Sequence, residues 1–235
     1  MQGWEGELPV PSVRTIHEMR PVLANPACTC EGPLYFMYRD LARSDADRDW
    51  LHRHCLRYDL TVIPARDLCG ECVKTKGHYH PDNPQAVGYP EMYEVLEGAV
   101  HYLLQSRPLD DVALVSANAG DIVIIPPGYG HVSINPSPGQ ALVMANIVST
   151  AFESVYAEYE VLHGGAYYEM TDGKLLKNPH YPHVPPIRHL DAASGHGAHR
   201  FCRRPIYDLV GDEDALDFLN EPERFIPALS VLLKG

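Results

Sequence analysis

Two histidines one residue apart, His78 and His80, are followed by Glu91 and, much later, by His131 in the run Gly128-Tyr-Gly-His. No other feature constrains the fold of this chain as strongly. On a strand, residues i and i+2 face the same side, so His78 and His80 share a face and Tyr79 takes the opposite one. A carboxylate opening the next strand and a third imidazole from a returning strand can then close on one divalent cation. Such closure requires a sheet architecture that brings three separate β-segments to one point.

The surrounding pattern agrees. Short apolar runs recur near 58–64, 72–80, 91–97, 99–105, 112–118, 121–125, 131–135, 141–149, 155–162, 165–170 and 173–177. Gly, Pro, Asn and Asp separate them, as turn chemistry demands. Gly98 between two such runs suits a tight hairpin, and Asn118-Ala-Gly-Asp121 suits another turn. Many short strands with little helix indicate an all-β antiparallel sandwich or barrel. The expected organisation is an N-terminal arm over 1–34, a barrel domain over 35–177 and a C-terminal extension over 178–235 packed on the barrel. Residues 33–39 read as a short strand and 41–55 as a helix or an exposed connection. In the extension, 178–205 is rich in Pro and His and reads as irregular, while 212–220 and 221–233 read as short helices. The tail histidines His180, His183, His189, His196 and His199 are expected to be exposed loop residues.

The formal net charge of −12 in 235 residues argues against a nucleic-acid partner, whose binding needs clustered Lys and Arg. It also gives an anionic substrate no long-range steering, so a phosphate must be held by local donors. No apolar run is long enough to span a membrane. The first residues have neither the basic start nor the apolar stretch of a signal peptide, so a cytoplasmic location is expected. Six cysteines include Cys28-x-Cys30 and Cys69-x-x-Cys72. Reduced thiols are expected there, with a zinc shared by the two pairs as the alternative.

Gly120, Pro126, Gly128 and His131 follow the spacing G-x5-P-x-G-x2-H, the second motif of cupin barrels, while Gly77, His78, His80, Glu91 and Gly98 match the first. The loop between His80 and Glu91 is longer than the commonest form. The double match implies a cupin (double-stranded β-helix, or jelly-roll) barrel with a short C-terminal helical extension. Three imidazoles and a carboxylate, His78, His80, Glu91 and His131, suit a borderline divalent ion such as Fe, Mn, Ni, Zn or Co.

Beyond the generic motifs, Tyr58-Asp-Leu-Thr-Val-Ile-Pro64, Glu71, Thr75-Lys-Gly-His-Tyr-His80, Glu91-Met-Tyr-Glu-Val-Leu-Glu-Gly98, Pro126-Pro-Gly-Tyr-Gly-His-Val-Ser-Ile-Asn135 and Asn178-Pro179 resemble the cupin-type glucose-6-phosphate isomerases. Ser133 stands where that family more often has threonine. The resemblance implies one divalent metal per subunit, iron first, on His78, His80, Glu91 and His131. It implies substrate phosphate held by Thr61, Thr75 and Gly77, with Tyr93 near the sugar and Glu91 as acid/base. Tyr156 and Tyr159, and Tyr38 from an early strand, fall where further tyrosines reach the substrate. Lys76 alternates away from Thr75 and Gly77 and is not expected to contact phosphate.

The activity so implied is interconversion of glucose 6-phosphate and fructose 6-phosphate in glycolysis or gluconeogenesis, by proton transfer or by hydride shift. The implied assembly is a homodimer, with a small sugar phosphate as partner. Rival readings are another metal-dependent cupin enzyme (an Fe(II) dioxygenase or a sugar-phosphate epimerase) and a non-catalytic sugar-phosphate-binding cupin.

Overall fold

Alternation of inward and outward side chains organises the chain into two curved sheets. The computed structural model describes Trp4, residues 6–194 and residues 196–234. In chain order its strands are β1 (Ser12–Thr15), β2 (Pro33–Tyr38), β3 (Leu56–Ile63), β4 (Asp67–Leu68), β5 (Glu71–Cys72), β6 (Glu91–Glu97) and β7 (Ala99–Ser106). They continue as β8 (Val112–Asn118), β9 (Ile122–Ile125), β10 (Tyr129–Ile134), β11 (Leu142–Ser149), β12 (Tyr167–Glu169), β13 (Leu175–Lys177) and β14 (Ile187–Asp191). One sheet runs β1-β2-β3-β11-β6-β9 and the other β10-β7-β8-β14. The non-sequential neighbours, β3 beside β11 and β10 beside β7, are those of a double-stranded β-helix, so the architecture is the expected cupin barrel.

The faces separate cleanly. Ile63 of β3, Tyr102 and Leu104 of β7, Val115 of β8, Ile125 of β9 and Met144 of β11 fill the interior. Tyr58, Leu60, Met92, Ala145 and Ile147 point outward from the six-stranded sheet and are covered by the helix Asp45–Arg53 and the C-terminal segment through Trp50, Phe218 and Leu219. Leu103, Leu114 and Val132 form the outer face of the second sheet, covered by Tyr159, Tyr167 and Tyr181. Burying both faces explains why β11 reads as one apolar run rather than an alternating one. Ser44 caps the helix Asp45–Arg53 by accepting from Asp47 N at 3.1 Å.

Several expectations are corrected. Residues 73–80 are not a regular strand. After β5 the chain makes only isolated bridges, Lys74 with Ile134, His78 with His131 and Tyr79 with Val155, because Gly77 turns at φ +81°. The run 155–162 forms a short helix, Ala157–Val161, in place of a strand. β1 in the N-terminal arm and β14 in the extension both join the sheets, β14 in parallel with β8. The helices expected at 212–220 and 221–233 are single turns, 3-10 at Asp217–Leu219 and Pro222–Phe225 and α at Ile226–Leu229. Pro222 and Pro227 lack the N–H that a continuous helix would use, and burial of Leu216, Phe218, Leu229 and Leu232 sets the path instead.

Cys28 and Cys69 form a disulfide, and Cys72 lies apart in the outer cluster of the second sheet, so neither four reduced thiols nor a four-cysteine site is present. His180 and His183 are exposed loop residues as expected, whereas His189, though exposed, lies in β14 and His199 in a 3-10 turn over Gly197–Arg200. His196 is buried. Among the described residues no helix is long and apolar enough to cross a membrane.

Candidate metal centre and substrate cavity

Period two on β6 sends Glu91 and Tyr93 inward, and β10 brings His131 in from the opposite sheet. The single bridge between His78 and His131 sets the third strand-like segment alongside. His78 Nε2 and His80 Nε2 lie 3.2 Å apart. Glu91 Oε2 lies 3.3 Å from His80 Nε2 and 3.5 Å from His131 Nε2. Ligand atoms of all four residues fall within 4.8 Å of one another.

Glu91 Oε2 is buried without a hydrogen-bond partner among the described residues. A buried carboxylate oxygen left this way is costly, and a cation held between the four groups would supply the missing partner. The donor set fits a borderline divalent ion.

Outer contacts orient the ligands. His80 Nδ1 sits 2.8 Å from Tyr89 O, which fixes its proton there and leaves Nε2 free to ligate. Asn146 Nδ2 donates to Glu91 Oε1 at 2.8 Å, so Oε2 is the oxygen left for a metal. Tyr93 Oη lies 3.1 Å from His131 Nε2. Burial, reinforced by the neighbouring imidazoles, pushes His78 well below its ordinary pKa. Burial lowers His131 to about 4 despite Glu91. Both are therefore neutral and ready to ligate at ordinary pH. Burial acts to raise Glu91, but His80 and His131 outweigh it and hold the carboxyl below its usual value. Burial, helped by Glu91, raises Tyr93 well above the ordinary phenol.

The four groups border a cavity of about 460 Å³. Thr61, Thr75, Gly77, Tyr93 and Tyr156 also line it. Thr75 Oγ accepts from Ser133 N at 2.9 Å, which leaves its own proton to donate.

Tyr159 is the exception among the expected site residues. It is fully buried behind Gly77, where a Cβ would meet its ring at 2.6 Å, and it packs with Tyr79 in the outer cluster. The helical turn at 157–161 separates it from Tyr156, which a strand reading could not foresee. Tyr38 faces outward, since Tyr35, Met37 and Arg39 are the β2-side residues on the cavity wall. Lys76 does line the cavity, contrary to the alternation argument, because the positive φ of Gly77 ends strand periodicity there. Its Nζ pairs with Glu160 at 2.5 Å.

The sequence reading missed Arg57, Asp59, Arg39 and Asn146, all on the cavity wall. Asp59 is buried and receives Arg57 Nε at 2.8 Å, Arg39 Nη1 at 3.1 Å and Asp40 N at 2.9 Å. Burial raises its pKa against these three donors. Counting back by two from Thr61 on β3 would have found Asp59 and Arg57. Asn146 announces itself as the polar residue inside the apolar run of β11.

Comparison with known proteins places these motifs. A glucose-6-phosphate isomerase of Thermococcus litoralis is 34% identical over 80 residues, an alignment covering 34% of this chain and 40% of that protein. The chain thus spans about two fifths of the length of the curated relative it matches. Among solved structures, hazelnut (Corylus avellana) vicilin aligns with TM-score 0.40 and 13% identity over 63% of this chain and 34% of its own. An oxalate decarboxylase variant of Bacillus subtilis aligns with TM-score 0.37 and 12% identity over 51% of this chain and 26% of its own. The family profile described as Glucose-6-phosphate isomerase (GPI) matches residues 13–185, a span that contains every ligand candidate and the whole cavity floor, and the chain belongs to that family.

Proposed function

We propose that this protein is a metal-dependent aldose–ketose isomerase that interconverts glucose 6-phosphate and fructose 6-phosphate. The observation that carries the reading is the convergence of His78, His80, Glu91 and His131 on a cavity whose wall also presents Thr61, Thr75 and Gly77. Family membership agrees with it.

A divalent ion held by the four residues, iron first with Mn, Ni, Zn or Co also compatible, supplies Lewis-acid polarisation of the substrate carbonyl. The remaining work falls to the chain. Thr61 and Thr75 hydroxyls and the Gly77 N–H bind the phosphate, and Lys76 adds a nearby cation. Local donors of this kind meet the need that a net charge of −12 creates. Glu91, fixed through Oε1 by Asn146, moves the proton between C1 and C2. Tyr93 keeps its proton at all physiological pH and donates from beside His131. Tyr156 closes the wall next to His78, with ring centroids 5.3 Å apart.

The proposal includes a role in glycolysis or gluconeogenesis, a homodimer and a cytoplasmic location, where the Cys28–Cys69 pair would be held reduced. The test is a coupled assay of fructose 6-phosphate isomerisation with protein loaded with each of the five ions in turn. Turnover that disappears on chelation and returns on reloading is expected. No turnover with any of the ions would overturn the reading. Thr61→Val should raise KM with little change in kcat, since a phosphate contact is made equally in ground and transition states.

A further inference from the structure

Away from the cavity, three cysteines meet. The sulfurs of Cys28, Cys30 and Cys69 lie within 4.8 Å of one another. Cys28 and Cys69 are joined as a disulfide, and Cys30 is a free thiol. Cys28 is buried, Cys30 half-buried and Cys69 exposed, so the cluster is anchored in the core and open to solvent on one side.

The backbone that carries these sulfurs is held by bonds that do not depend on the disulfide. The Arg20 guanidinium donates to the carbonyls of Cys28 and, at 3.2 Å, Cys30. Arg66 donates to Pro33 O at 3.0 Å and to Glu31 O at 2.5 Å. Cys69 is fixed in the tight β4–β5 turn, where Gly70 N donates to Asp67 Oδ1 at 2.5 Å. Opening the sulfur–sulfur bond therefore leaves three convergent thiols on backbone that stays held, while the Arg20 charge is already paired with Glu31 at 2.5 Å. Cys72, the other member of the C-x-x-C pair, does not take part. Burial pushes its thiol up to about 12, with Glu169 and Glu71 adding to the shift.

We propose that, after reduction of the Cys28–Cys69 bond, Cys28, Cys30 and Cys69 hold one soft d10 cation, Zn(II) or Cd(II), as a trithiolate site. A dithiol reductant provides the two electrons and two protons. The sulfur–sulfur bond breaks, both sulfurs become thiols, and the dithiol closes to its own disulfide. Binding then forms three metal–sulfur bonds and releases three thiol protons to solvent. Thiolate ligands select soft cations, whereas the His78, His80, Glu91 and His131 group suits borderline ones, so the two centres sort ions by ligand type. Reduction and metal binding also touch function-bearing segments directly. Cys28 and Cys30 precede β2, which carries Tyr35 and Met37 toward the cavity, and Cys69 precedes the segment bearing Thr75 to His80.

The experiment uses the full chain in a Cys55→Ser background, since Cys55 is an exposed thiol. The protein is reduced with a dithiol, desalted without oxygen and titrated with Cd(II). Thiolate-to-cadmium charge-transfer absorption in the ultraviolet is the readout. Imidazole and carboxylate ligands do not produce that band, so the result is independent of the isomerase reading. Saturation at one thiolate-bound ion per chain is expected, with no band from the oxidised protein. Cys30→Ser should lose about one third of the intensity and bind roughly tenfold or more weakly. The absence of a band from the reduced protein overturns the proposal, as does a full-intensity band from the Cys30→Ser variant. Loss of far-ultraviolet circular dichroism on reduction would do the same, and the parent titration decides alone if the variant does not fold.

Discussion

His196 gives the fold a calculable acid sensitivity. Its ring is 1% exposed and makes two bonds that together define a neutral imidazole. Nε2 donates to Ile124 O at 2.9 Å, and Nδ1 accepts from Ala198 N at 3.2 Å. The first of these satisfies a carbonyl on β9, the edge strand of the six-stranded sheet. Burial, opposed by the bond to Ile124, lowers the histidine to about 4. Protonation would also cost the Ala198 bond. In the unfolded chain the same ring titrates near 6.5, so between those values the unfolded state binds more protons than the native one. Stability is therefore lost as pH falls through 6.5 and levels off below about 4. The size follows from linkage, at about 2 kcal/mol between pH 7 and pH 5 and about 3 kcal/mol in the acid limit.

His196→Asn isolates the effect. Asn Oδ1 can keep the Ala198 bond, while Ile124 O loses its donor at a pH-independent cost of about 1–2 kcal/mol. The variant should be less stable than the parent at pH 7, draw level as pH falls, and equal or surpass it near pH 5. Urea denaturation of both proteins at pH 7, 6 and 5 measures the gap. Asp59 and Glu94, whose carboxyls burial raises, are present in both proteins and cancel. A gap that stays constant across that range would refute the reasoning.

Three further outcomes follow from the site. Asn146→Leu removes the donor that fixes Glu91 Oε1 and should weaken divalent-ion affinity roughly 10–100-fold in a calorimetric titration, with a smaller effect on thermal stability. Gly77→Ala puts a Cβ 2.6 Å from the Tyr159 ring at a positive φ and should cost roughly 2–4 kcal/mol in denaturant unfolding. Tyr159→Phe removes a buried hydroxyl that has no partner among the described residues. It should leave KM for the sugar phosphate unchanged and stability equal or up to about 1 kcal/mol higher, whereas a rise in KM would return Tyr159 to the substrate site.

What the sequence made legible, and what it hid, divides along a physical line. The four ligand candidates could be read because residue type and local period carry them. Glu91 and Tyr93 face inward by the same period-two rule that gives Asp59 and Arg57 from Thr61, and the barrel follows from what those strands must bury. The rule fails where its premise does. At Gly77 the backbone leaves the extended region, which breaks the alternation around it, and Lys76 reaches the cavity although alternation sends it away. Tyr156 and Tyr159 lie in a run whose aromatic and β-branched residues favour strand, yet the packing of Tyr159 behind Gly77 selects a helical turn. Outside the ligand motifs, pairing across the chain was legible only as a zinc that two cysteine pairs could share. Cys28 meets Cys69 across 41 residues, and β14 finds β8 from within a proline-rich tail. Neither contact leaves a local mark, because its stabilisation comes from closure of the tertiary fold rather than from neighbours in sequence. The same reasoning explains His196, whose burial depends on an edge carbonyl 72 residues away. Chemistry concentrated in one motif can thus be read from the chain, whereas the groups that orient or cover it become visible only once the sheets have closed.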